Sequence, residues 1–60
     1  MIHHLHISHA TLGDFEGYFI EKRPDYALVR VTTSNVELRE RSVFDGDQIA
    51  ITEGCYEVQK

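Results

Sequence analysis

Glu16-Gly17-Tyr18-Phe19-Ile20-Glu21-Lys22-Arg23-Pro24-Asp25-Tyr26-Ala27-Leu28-Val29-Arg30-Val31-Thr32-Thr33 carries two apolar/polar alternations on either side of one turn signal. Alternation with period two marks a half-buried strand. Proline at the second turn position and aspartate at the third favour a type I turn. With Arg23 facing Tyr26, Ile20 faces Val29 and Tyr18 faces Val31, so the four side chains share one face of an antiparallel pair.

Downstream, Ser34-Asn35 reads as a tight turn that sets Val31 opposite Leu38 and Thr33 opposite Val36. The same apolar face then continues through a third strand. A slip of one residue would turn every side chain over, so the agreement of the two registers predicts a three-stranded meander. Ser34 to Phe44 also admits a helix, because Ser34-Asn35-Val36-Glu37 fits a capping box. A helix would bring Val36, Val43 and Phe44 near one stripe, interrupted by Glu40.

After the Asp45-Gly46-Asp47 turn, Ile49 and Ile51 alternate with Gln48, Ala50 and Thr52. Glu53-Gly54 supplies a two-residue hairpin loop that sets Ile51 beside Tyr56 and Ile49 beside Val58. At the other end, Ile2 to Ile7 alternates as a further strand, with an irregular link from Ala10 to Asp14 after it. Two one-sided sheets in a short chain must cover each other. The expected fold is all-β: a small five- to six-stranded antiparallel barrel or roll, SH3-like or OB-like, with one short helix or turn near 36–44. It forms a single small β domain over 1–60.

A chain of 60 residues buries only about 60% of the surface it would expose unfolded, which makes a monomer marginal and a homodimer an obvious aid. Cys55 is the only cysteine, so no internal disulfide forms, and a lone thiol fits a reducing, cytoplasmic compartment. The net charge of −4 argues against indiscriminate binding to nucleic acid or anionic lipid. No apolar run approaches the ~20 residues of a membrane span, and the N-terminus has neither the basic start nor the apolar core of a signal peptide.

The histidines are the first chemical candidates. His4 and His6 project from the same side of a strand, roughly 6.6 Å apart along it, a spacing that lets two imidazoles converge on one metal ion such as zinc. His3 and His9 point the other way, and Asp14, Glu57 and Cys55 are the candidate further ligands. The plainer alternative is a solvated edge strand, or a group of imidazoles that gain charge together as pH falls toward about 5.

The outward face of the meander is the second candidate. The registers set Phe19, Arg30 and Arg39 in one cross-strand row and Glu21, Leu28 and Arg41 in the next. Guanidinium beside an aromatic ring serves protein interfaces and single-stranded nucleic acid alike. The plainer alternative is a polar sheet face on which arginine stems cover Phe19 and Leu28. Asp45-Gly46-Asp47 lacks the spacing of a calcium loop, and Cys55 has no base nearby in sequence, which leaves it a small semi-buried side chain.

Val36-Glu37-Leu38-Arg39-Glu40-Arg41, then Asp45-Gly46-Asp47-Gln48-Ile49-Ala50-Ile51 and Glu53-Gly54, resembles the swapped-hairpin AbrB/MazE antitoxin-type domains. The likeness is confined to the C-terminal half, with no Thr-Ile-Pro-type segment ahead of Val36 and no strong basic patch. It implies an intertwined DNA-binding dimer with a short helix before a Gly-Asp turn and a final hairpin.

The expectation is therefore a non-enzymatic protein-interaction module, an adaptor or inhibitor of a larger protein, acting through a sheet edge or through Phe19, Leu28, Arg30, Arg39 and Arg41. No cofactor is expected. The alternatives are a swapped-hairpin DNA-binding regulator and a zinc site on His4 and His6.

Overall fold

The structure is a computed structural model and describes residues 4–59. Five antiparallel strands and one short helix succeed one another: β1 Leu5–His9, β2 Gly13–Lys22, β3 Tyr26–Thr33, α1 Val36–Glu40, β4 Gln48–Thr52 and β5 Tyr56–Gln59. All five strands belong to one sheet in the order β4-β3-β2-β1-β5. The sheet curls over its own apolar face into a roll and does not close into a barrel. Its inner face carries Ile7, Phe15, Ala27, Val29, Val31 and Ile51, all buried, and α1 adds buried Leu38.

The N-terminal alternation does form a strand, although Ile2 and His3 of the expected segment lie outside the described residues. The link after it is not irregular. β1 and β2 form a hairpin with His9 opposite Gly13, and the Thr11 and Leu12 N–H groups donate to His9 Nδ1 at 3.1 and 3.2 Å. Gly13 takes φ +79°, the left-handed conformation that ends a three-residue hairpin loop.

At the β2–β3 turn the Arg23 N–H donates to the Tyr26 carbonyl (2.8 Å), as the sequence suggests. The expected register holds at the turn end for Lys22 with Ala27 and Glu21 with Leu28, and returns for Glu16 with Thr33 beyond a second irregularity between Glu16 and Gly17. A β-bulge at Ile20 then shifts the pairing, so Phe19 opposes Val29 and Tyr18 opposes Arg30. One extra residue reverses the faces of the residues on its far side. Phe15, Gly17 and Phe19 thus face the core side, Tyr18 lies outside, and Ile20 is left 45% exposed. Gly17 fits because nothing larger would: a methyl there would lie 2.5 Å from the Arg30 carbonyl oxygen.

The third strand of the expected meander is replaced by α1. Asn35, not Ser34, is the N-cap, and its side-chain oxygen accepts the Leu38 N–H at 2.7 Å. Its amide nitrogen donates to the Leu12 and Asp14 carbonyls at 2.9 and 2.6 Å, tying the helix start to the β1–β2 hairpin. The helix stops after Glu40 rather than running to Phe44. Val43 N–H returns to the Leu38 carbonyl and Ser42 N–H to the Arg39 carbonyl, with Ser42 at φ +63°, which is a Schellman ending. The helix wins over a strand because its cap and its ending satisfy backbone groups locally while Leu38 fills the core.

β4 pairs with β3, and β5 with β1. The expected β4–β5 hairpin, with Ile51 beside Tyr56 and Ile49 beside Val58, does not form. The turn exists, with Cys55 N–H donating to the Thr52 carbonyl and Gly54 at φ +91°. Its two strands nevertheless bond away from each other and become the two edges of the sheet. No helix among the described residues is long and apolar enough to cross a membrane.

Candidate interaction surface

The outer face of β2, β3 and β4 presents a row Tyr18, Arg30, Gln48 and a second row Glu21, Leu28, Ala50, with Tyr26 beside Thr52 at the turn end. Tyr18 and Leu28 are half-buried, and Arg30 and Ala50 are exposed. Ile20, pushed out by the bulge, and Tyr26 at 36% exposure extend the apolar content of this side. The ion pairs among the described residues join His6 to Asp14, Lys22 to Glu53, Arg23 to Glu21 and Arg41 to Glu37. Arg30 takes part in none of them. Its backbone lies in the middle of the sheet, in register between Tyr18 and Gln48.

The residues expected to form one binding face are distributed over three places. Leu28 and Arg30 remain together on the outer face. Phe19 lies on the opposite side of the sheet, half-buried, 5.9 Å from the Tyr56 ring, with Lys22 Nζ 5.2 Å above its centroid. Arg39 and Arg41 left the sheet when Val36–Glu40 became helical; Arg39 is exposed on α1, and Arg41 caps it and bonds Glu37 at 3.0 Å. The bulge and the helix account for both departures. Tyr18 and Tyr26 join the surface instead, and their aromatic character was the signal that marks them.

His6 and the adjacent strand ends carry a polar chain across β5, β1 and β2. Gln59 Nε2 donates to Ser8 Oγ (3.3 Å), Ser8 Oγ donates to Asp14 Oδ1 (2.6 Å), and His6 Nε2 lies 3.6 Å from Asp14 Oδ2. The Ser8 hydroxyl, and after it His6, holds the Asp14 carboxyl below its ordinary value against the opposing effect of desolvation. His4 is exposed and sits 6.4 Å from the Tyr18 ring. Asp14 does approach His6, yet no group of three metal-ligating side chains forms among the described residues.

His9 faces the core side of β1 beside Tyr56. Two backbone N–H groups point at its Nδ1, which places the ring proton on Nε2. Burial pushes its pKa down, in keeping with a neutral imidazole used as a loop cap. His9 and Cys55 both line an open depression of about 310 Å³ at the end of β1 and β5. Cys55 is exposed rather than semi-buried. The imidazole beside it is committed to the backbone and does not serve as a base for the thiol.

Between the free edges of β4 and β5 the roll is open, and Phe19, Ile49, Tyr56 and Val58 pack there only partly buried against the core. The Tyr56 hydroxyl donates to Glu53 Oε2 (2.8 Å). Desolvation and that carboxylate push the phenol up to about 12. No family model, curated protein or solved structure matches the chain.

Proposed function

We propose that this chain is a non-catalytic interaction module that binds another protein through the outer face of β2–β4. The observation that carries the reading is Arg30, in none of the ion pairs among the described residues, in register between Tyr18 and Gln48 and beside half-buried Leu28 and exposed Ile20. Arginine and tyrosine are enriched at the energetic centres of protein interfaces, and a desolvated guanidinium calls for a carboxylate across the contact. A partner with an acidic group set in an apolar rim fits this surface.

The test compares proteins retained by the immobilised wild-type chain, Arg30→Glu and Arg39→Glu, each first shown to be folded by circular dichroism. Arg30→Glu is expected to lose the partner that both other chains retain. Equal retention by all three overturns the reading.

A swapped-hairpin DNA-binding regulator is the second reading. It is supported by α1, a short helix ahead of the Asp45-Gly46-Asp47 turn with Arg39 exposed on it. Its test is duplex affinity across a salt series, where phosphate contacts give a steep decline.

A further inference from the structure

Among the described residues, no strand pairs with the outer edge of β4. Val31 N–H donates to the Asp47 carbonyl (2.8 Å) and Glu53 N–H to the Asp25 carbonyl (3.0 Å), and the same register pairs Val29 with Ile49 and Ala27 with Ile51. Odd-numbered positions therefore turn their backbone toward β3. Antiparallel bonding alternates, so the amides and carbonyls of Gln48, Ala50 and Thr52 point to the free edge. All three side chains are exposed, and Ile49 is only half-buried. Natural edge strands are normally blunted by a charge, a proline or a bulge. Gln48-Ile49-Ala50-Ile51-Thr52 contains no charge or proline, and its pairing with β3 is unbroken.

The strand also reads almost alike in both directions about Ala50: polar, isoleucine, alanine, isoleucine, polar. A two-fold axis at Ala50 would set each Gln48 opposite the second copy's Thr52 and each Ile49 opposite the second copy's Ile51. Just beyond, Asp47 of one copy meets Glu53 of the other. Neither carboxylate is bare: Asp47 Oδ2 accepts the Phe44 N–H, Glu53 Oε2 accepts the Tyr56 hydroxyl, and Lys22 Nζ lies 4.0 Å from Glu53 Oε1. Lys22 thus brings a cation to each end of the contact. The other edge lacks this match: a two-fold at Glu57 sets two like carboxylates on the axis itself, inside the strand and not beyond its ends, and one at Val58 runs past the end of β5.

We infer that β4 is a homodimerisation edge, pairing antiparallel with β4 of a second copy about Ala50 and making one sheet continuous through both chains. This stands apart from the outer-face reading, although pairing would bring the two Leu28–Ala50 rows side by side. A five-residue edge is small beside a standard interface of ~800 Å² per partner, so the dimer is expected to dissociate on dilution.

Light scattering on the full chain from about 1 mM down to about 1 μM tests it. The wild type is expected to pass from two chains to one. Ala50→Lys sets two ammonium groups against each other at the axis and is expected to weaken association by about tenfold or more. Should that chain not fold, a charge pair decides: Gln48→Glu with Thr52→Glu abolishes the dimer, and Gln48→Glu with Thr52→Lys restores it. A monomer at the highest concentration, or a dimer indifferent to these changes, overturns the inference. Arg30→Glu, which tests the outer face, leaves the mass unchanged, so the two readings fail separately.

Discussion

The α1 side of the roll and the β4–β5 side are built from similar residues and finished in opposite ways. Around α1, polar side chains answer backbone groups one by one. Asn35 bonds Leu12, Asp14 and Leu38. Asp45 accepts the Ser34 N–H, the Ser34 hydroxyl donates to the Val43 carbonyl, and Asp47 accepts the Phe44 N–H. Even there one group is left over, the buried Thr32 hydroxyl, which has no partner among the described residues. On the β4–β5 side two strands leave one turn and part, so two edges and four half-buried apolar side chains stay open. Stability is concentrated where the backbone is tied, and unsatisfied binding capacity where it is not.

Core truncation on the two sides gives the largest contrast. Leu38 is 0% exposed under the helix, and Leu38→Ala is expected to cost about 3 kcal/mol in denaturant unfolding. Ile49→Ala at the open side should cost about 1 kcal/mol, because its side chain is only partly covered. Equal losses would mean the open side is as well packed as the closed one.

Next in size is Asn35→Ala, expected to cost about 1–2 kcal/mol, since it removes the helix cap together with the tie to the β1–β2 hairpin. Amide exchange should quicken at Leu38, where the capped N–H lies, before it quickens in β4. Uniform exchange across the chain would show that the tie is not local.

The smallest effect belongs to the open side and appears in alkali. The Tyr56 pKa is raised in the folded chain to about 12, above the ordinary value near 10. A raised folded value means the contribution is fully present below about pH 10 and is lost as pH climbs through about 12. Ultraviolet titration should show one of the three tyrosines ionising late, and Tyr56→Phe should remove that step. A tyrosinate transition unaltered by Tyr56→Phe would contradict the Glu53 contact.

Much of the fold was legible because its signals are local. The Pro24-Asp25 turn, the Asp45-Gly46 and Gly54 turns and the alternation of every strand depend on neighbours in sequence, and all are present. Register was less legible, because the bulge at Ile20 leaves no mark in an alternation that continues through it. The surface around Arg30 suffered most. Leu28 and Arg30 kept their face because β3 runs regularly against β4, while Phe19 turned inward one residue beyond the bulge.

By itself the sequence determined that this chain is small and all-β, with strands where the alternations of β1 to β5 lie, since pattern and turn chemistry act over a few residues. Only the tertiary structure decided that Val36–Glu40 is helical, because Leu38 had to fill the core beneath it. It also decided that β4 and β5 go to opposite edges rather than to each other. Each strand there has two candidate partners of comparable pattern, and closure of the sheet through β3 and β1 selects between them.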